Sequence, residues 1–277
     1  MTSPAPALLT ACRSALIQGF RASAPQAVLN NRGYVSEASQ NLIEGVRLQD
    51  FEADLLQGDG NEMKGKFRAA HSSSALAVNT FAPFKAHLAT LRLLGGGGFT
   101  SLEFEKKCPH GLVGRRSPNL DVLAEGPSVV AIESKLLEPL SKHKAKFSPD
   151  YDEQIRDHRR GTEWFGEMVR IVKEEHNYRW LDAAQLVKHA FGIAHTFPDK
   201  PATLLYLFWE PSNPAKYPLF EEHRAEVTQF AASIDGGGPK FVAMSYPELW
   251  RSWDKYFEPE WLRIHVDRLM VRYGVAA

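Results

Sequence analysis

The sequence predicts an α/β fold, with a mixed central sheet flanked by helices and a helical N-terminal extension. Three observations carry this reading. Residues 99–105, Phe-Thr-Ser-Leu-Glu-Phe-Glu, alternate apolar and polar with the period of a half-buried strand. Residues 203–209, Thr-Leu-Leu-Tyr-Leu-Phe-Trp, form a nearly continuous apolar run between Pro201 and Pro211, as a buried central strand does. Apolar residues at helical spacing precede, separate and follow these strands.

Taken in order, residues 5–20 read as an amphipathic helix using Leu8, Leu9, Cys12, Leu16 and Ile17. Turns are expected at Pro25 and at 30–33, and Leu42, Val46, Phe51 and Leu55 recur at roughly helical spacing. The Gly-Asp-Gly-Asn stretch at 58–61 is a break. It separates a helical extension, residues 1–60, from a core domain, residues 61–277. A helix is expected from Phe84 through Leu88, Leu91 and Leu94, ending at the four glycines 95–98. Beyond 99–105 come a polar loop, a short strand at 120–123, a turn at Gly126-Pro127 and a strand at 129–135. Together they make a three-strand antiparallel meander. Helices at 152–175 and 181–194, the buried strand, a helix at 219–234 and a last strand at 241–245 complete the chain.

Composition narrows the function. Lys plus Arg and Asp plus Glu each number 33, so the net charge is zero and no global basic field coats the molecule. Contact with nucleic acid then requires local basic patches, which argues against a passive coating protein. Cys12 and Cys108 form no CxxC pair and read as reduced thiols in a cytoplasmic protein. No apolar run approaches the roughly 18 residues of a membrane span, so no membrane partner is expected. The interrupting Arg13 argues against a signal peptide. The sequence has no HExxH, no nucleophile elbow G-x-S-x-G and no P-loop.

The chemistry concentrates in Asp121 and in Glu133-Ser134-Lys135. Residues two apart on a strand project to one face, so Glu133 and Lys135 point together, and the turn at Gly126-Pro127 brings Asp121 alongside. Two carboxylates and a lysine suit a hard cation such as Mg²⁺ beside a phosphate, with the lysine serving the attacking water or the developing charge. An ordinary solvated Glu-Lys pair is the plainer alternative. The core character of residues 129–132 weighs against it, because charges at the end of a buried strand need partners.

This pattern, Asn119-Leu120-Asp121 followed by Glu133-Ser134-Lys135, resembles the PD-(D/E)XK nuclease superfamily. The stretches 71–84, 102–121 and 130–137 resemble a bacterial group described as restriction endonucleases. The resemblance covers residues 60–250. It departs from the superfamily pattern in lacking proline directly before Asp121; Pro118 lies three residues earlier. It implies a restriction-endonuclease-like sheet and a metal-dependent endonuclease acting on DNA, with Mg²⁺ as cofactor and Mn²⁺ as a substitute. Asp121, Glu133 and the Ser134 carbonyl would bind the metal, and Lys135 would contact the water or the scissile phosphate. Gln185 and His189, four apart, are similar to a Gln-x-x-x-Tyr helix element of some such nucleases, with Lys188 between them.

Glu105 is a further acidic candidate, able to reach Asp121 across the ladder; Glu103 ranks below it. Arg115, Arg116, Asn119, Lys188 and His189 are expected to hold the substrate, with Lys142, Lys144, Lys146, Arg159 and Arg160 as weaker choices. His71 to Ser74 and Asn79 read as a helix cap or a substrate-facing element. A homodimer is the expectation for a single site that cuts both strands. Two other functions stand beside the leading one: a repair or mobile-element nuclease, and a catalytically silent nuclease-fold module for DNA binding or interaction. The intact Asp121, Glu133 and Lys135 set argues against the silent module.

Overall fold

A computed structural model of the chain describes residues 4–57, 62–110, 119–143, 146–148, 151, 162–256 and 259–277. Five strands form one sheet in the order β1-β2-β3-β4-β5: β1 Ser101–Lys107, β2 Asn119–Glu125, β3 Val129–Lys135, β4 Ala202–Phe208 and β5 Lys240–Ser245. The first three are an antiparallel meander, while β3–β4 and β4–β5 run parallel. The switch follows from connection length. A tight turn at Gly126 closes β2 onto β3, whereas β4 and β5 are each reached through helices.

Alternation assigns the two faces. Val130, Ile132, Leu205 and Leu207 pack in one apolar cluster; Val129, Ala131, Leu204, Tyr206 and Phe208 pack in another. The first face is covered by α1 (Pro4–Ser23), α3 (Ser73–Phe81), α7 (Tyr246–Ser252) and α8 (Glu260–Tyr273). The second is covered by α4 (Thr162–Val172), α5 (Ala183–Thr196) and, through Val227 and Phe230, α6 (Pro218–Ser233). A short α2 (Glu52–Gln57) lies against β1. The architecture is α/β, a five-stranded mixed sheet between helices with an N-terminal helix, consistent with a restriction-endonuclease-like fold.

The expected helix over 84–94 does not form. The helix lies earlier, at α3, where the buried Ser72 side chain accepts the Ala75 N–H as its N-cap. Pro83, which lacks an N–H, follows its end, and 84–94 holds only short 3-10 turns before Gly95 and Gly98 at positive φ. The apolar spacing at 42–55 likewise resolves into 3-10 turns and α2. The helices α7 and α8, beyond the last expected strand, complete the first layer. Their buried Tyr246, Trp250, Leu269 and Tyr273 supply much of its bulk.

The N-terminal helix is fastened to the last one. Arg272 of α8 is 1 % exposed and donates to the carbonyls of Leu16 and Ala70 and to Asn41 Oδ1, at 2.9–3.1 Å. Its guanidinium stacks over Phe20 at 4.6 Å. Three carbonyl-type acceptors and an aromatic face compensate a buried cation here. The result fixes α1 and residues 69–71 at the rim of the cleft described next.

Candidate active site

The ladder between β2 and β3 stops at the pair Val122 and Ile132. One position further, Asp121 and Glu133 are not paired with each other, and the strands diverge. The Asp121 carboxylate occupies the gap and accepts the Ser134 N–H at 2.6 Å. Strand β3, by contrast, stays paired with β4 through Lys135 and Phe208, and the Lys135 carbonyl then accepts the Trp209 N–H. The acidic end of β3 is therefore held rigidly on one side and left open on the other.

Glu133 and Lys135 project together toward α5. Lys135 Nζ lies 2.5 Å from Glu133 Oε1 and donates to Gln185 Oε1 at 2.8 Å. Helix α5 begins at Asp182, whose side chain caps the Gln185 N–H. One turn on, His189 Nε2 sits 2.8 Å from Glu133 Oε2, an ion-pair distance without hydrogen-bond alignment. Ser134 points to the other face, its hydroxyl 2.5 Å from Tyr246 Oη. Thus β2, β3 and α5 each contribute to one constellation.

Its electrostatics are unequal. Burial raises the Glu133 carboxyl, but Lys135 and His189 outweigh it and hold it at about 2. Asp121 goes the other way: burial first, then the Glu133 charge and Glu105, push it well above the usual carboxylate range despite Lys135. Burial works against the Lys135 ammonium, yet Glu133 and Asp121 raise it overall, so it stays charged.

All three residues, with Ser134 and Gln185, line an open cavity of about 550 Å³. The opposite wall comes from the N-terminal half: Arg13 of α1, Tyr34, Glu62, Lys66 and residues 71–74. Glu138 also lines the cavity, accepting the Leu136 N–H at 2.7 Å and the Ser73 hydroxyl at 2.8 Å, while Ser74 donates to Glu62 at 2.5 Å. Of this wall the sequence singled out only His71 to Ser74, as a helix cap or substrate-facing element; Arg13, Tyr34, Glu62 and Lys66 lie far from Asp121 and Lys135 in the chain and no local pattern links them. Asn79 takes no part in the cavity lining. It is a buried bracket between Ile43, Asn41 and Tyr273.

The remaining candidates fall as follows. Glu105 stands opposite Asp121, between the pairs Phe104–Val122 and Lys106–Leu120, at a positive φ of 50°. Its carboxylate accepts from Asn119 Nδ2 at 3.1 Å. Glu103 pairs with Lys106 instead. Lys188 turns away from the cavity lining, donating to the Lys146 carbonyl at 2.7 Å above the Phe147 ring. Lys142 lines a separate groove. Arg115, Arg116, Lys144, Arg159 and Arg160 lie outside the described residues, as do the 58–61 break and the first part of the 152–175 helix.

The donor set fits a hard divalent cation. Two acids in one pocket repel each other, and Glu133 Oε2 faces His189 Nε2 without an aligned hydrogen bond. Among the described residues no group of three or more His, Cys, Asp or Glu side chains forms a metal cluster. Two carboxylates completed by water or other oxygens are the coordination Mg²⁺ accepts and structural Zn²⁺ does not. Among the described residues, no helix is long and apolar enough to cross a membrane.

No curated protein and no solved structure matches the chain. A family model does, that of the restriction endonuclease associating with ARP, over residues 19–274. The match spans all five strands and, apart from the α1 residues before position 19, the lining of the cleft, so the chain belongs to this family.

Proposed function

We propose that the protein is a metal-dependent endonuclease of the PD-(D/E)XK type that hydrolyses DNA phosphodiester bonds in this cleft. The observation that carries the reading is the convergence of Asp121, Glu133, Lys135 and Gln185 on one open cavity at the point where β2 and β3 part. Asp121 and Glu133, with the Ser134 carbonyl, are the groups that would hold Mg²⁺, or Mn²⁺ in its place. When bound, such an ion polarises the phosphoryl oxygens and acidifies a coordinated water.

The chain's own residues do the rest. Lys135 is an ammonium with three donors. Glu133 and Gln185 engage two of them, and the third is available to the cavity, where it meets an attacking water or a non-bridging phosphate oxygen. Gln185 is a positioning residue: it fixes the lysine and is itself fixed by the capped start of α5. His189 and Lys135 together keep Glu133 ionised at neutral pH, ready to bind a cation. The family description pairs its endonuclease with ARP, and action alongside that partner is part of the same proposal.

The test is plasmid DNA incubated with the purified protein and Mg²⁺, beside a chelator control. Nicked or linear product that vanishes with chelator is expected; intact plasmid in both arms would refute the reading.

A further inference from the structure

We infer that the non-catalytic wall of the cleft is a clamp for the nucleic-acid backbone, in which Arg13 of α1 and Lys66 bind phosphates flanking the scissile one. The inference rests on the nuclease reading of the opposite wall and adds the residues that hold the substrate against it.

The charge inventory of the cleft leads there. Its acids are engaged: Glu133 by Lys135 and His189, Asp121 by the Ser134 N–H, Glu138 by Leu136 and Ser73, Glu62 by Ser74. Lys135 is held by Glu133 and Gln185, and its remaining donor is assigned to the scissile group. Arg13 and Lys66 remain. Both are exposed, both line the cavity, and neither makes a side-chain hydrogen bond or ion pair among the described residues. Two cations facing a nuclease centre with no internal carboxylate to neutralise them suit an external polyanion.

A second feature on the same wall points the same way. His71 Nδ1 is buried without a hydrogen-bond partner beside the Tyr34 ring, on the cavity lining. Burial, Arg13 and Arg272 favour the neutral imidazole, which either donates to or accepts from a sugar or phosphate oxygen. The wall is also rigid. Arg272 ties Leu16, Asn41 and Ala70 to one another, so α1 and the residue preceding His71 are placed together. A clamp that cannot drift positions a phosphate usefully.

The experiment measures affinity apart from cleavage. Binding of a duplex oligonucleotide in Ca²⁺, as a non-catalytic ion, is followed by fluorescence anisotropy at several salt concentrations. The proteins are the wild type, the double variant Arg13→Ala/Lys66→Ala, the charge-preserving Arg13→Lys/Lys66→Arg, and Lys173→Ala as a remote control. The double alanine variant is expected to raise Kd about tenfold or more and to reduce the slope of log K against log salt by about two. In Mg²⁺ it should raise KM for cleavage with kcat little changed. The charge-preserving variant should restore most of the affinity, and Lys173→Ala should behave as wild type. Wild-type cleavage with unaltered Kd and salt slope in the folded double alanine variant would overturn the clamp alone. Failure of the wild type to bind or cut DNA would overturn both clamp and nuclease.

Discussion

At the scale of single residues, the site holds function and stability in opposition. Asp121 is an acid whose ionised form the fold disfavours through burial and the neighbouring Glu133 charge. A carboxyl raised in the folded state contributes stability while protonated and loses it as pH rises through its folded value. At neutral pH and without metal, the folded state therefore carries a cost at this position that a neutral isostere avoids. Asp121→Asn keeps an oxygen for the Ser134 N–H and removes the repulsion. We expect it to abolish cleavage while raising Tm in metal-free buffer; Mg²⁺ should raise Tm of the wild type but not of the variant. Differential scanning fluorimetry with and without Mg²⁺ checks this. A large fall in Tm on the substitution would show that Asp121 is a structural anchor instead.

At the scale of elements, α5 decides whether the lysine is aimed. It carries Gln185 and His189 on one face and approaches the end of β1 through Gly192. A Cβ there would lie 2.4 Å from the Cys108 carbonyl oxygen, a backbone atom with little room to yield. Gly192→Ala should cost about 1–3 kcal/mol by overpacking, read as a lower midpoint in denaturant, and should reduce cleavage by lifting Gln185 from Lys135. Unchanged stability would show that α5 accommodates the methyl. Elements of this kind were unevenly legible in the sequence. The strand β3 and the buried β4 were plain, because apolar residues there are continuous or alternate cleanly. So was the face shared by Glu133 and Lys135, which strand periodicity alone dictates. The misplaced helix at 84–94 shows the limit: Leu88, Leu91 and Leu94 have helical spacing, but after Pro83 the chain runs in short 3-10 turns that bury Leu91, half-bury Leu88 and leave Leu94 exposed. The burial of His189 against Glu133 depends on how α5 docks, which no local pattern encodes.

At the scale of the molecule, both layers of the core contain a buried neutral histidine, and each lowers the stability of the fold in acid. Burial holds His223 down at about 3 and His265 at about 4. Below about pH 6.5 the unfolded chain takes up protons at these sites that the folded chain refuses, so the unfolded state gains and stability falls with pH. The contribution is complete above pH 6.5 and is lost progressively toward pH 4 and 3. In the Asp121→Asn background, where the opposing Asp121 titration is absent, melting temperatures recorded from pH 8 to pH 4 should be flat at first and then fall, with the decline reduced by His265→Gln; a Tm that holds constant to pH 4 would contradict it. The larger claim concerns the cleft that the two halves of the chain build between them: that Lys135, pinned by Glu133 and Gln185, acts on the phosphate held there. The direct measurement is the Mg²⁺-dependent plasmid-cleavage rate of Lys135→Ala, with Lys135→Met keeping the aliphatic stem and thermal melting confirming that each is folded. A fall of about a hundredfold or more is expected in both folded variants; cleavage at the wild-type rate would contradict a role for Lys135 at the phosphate.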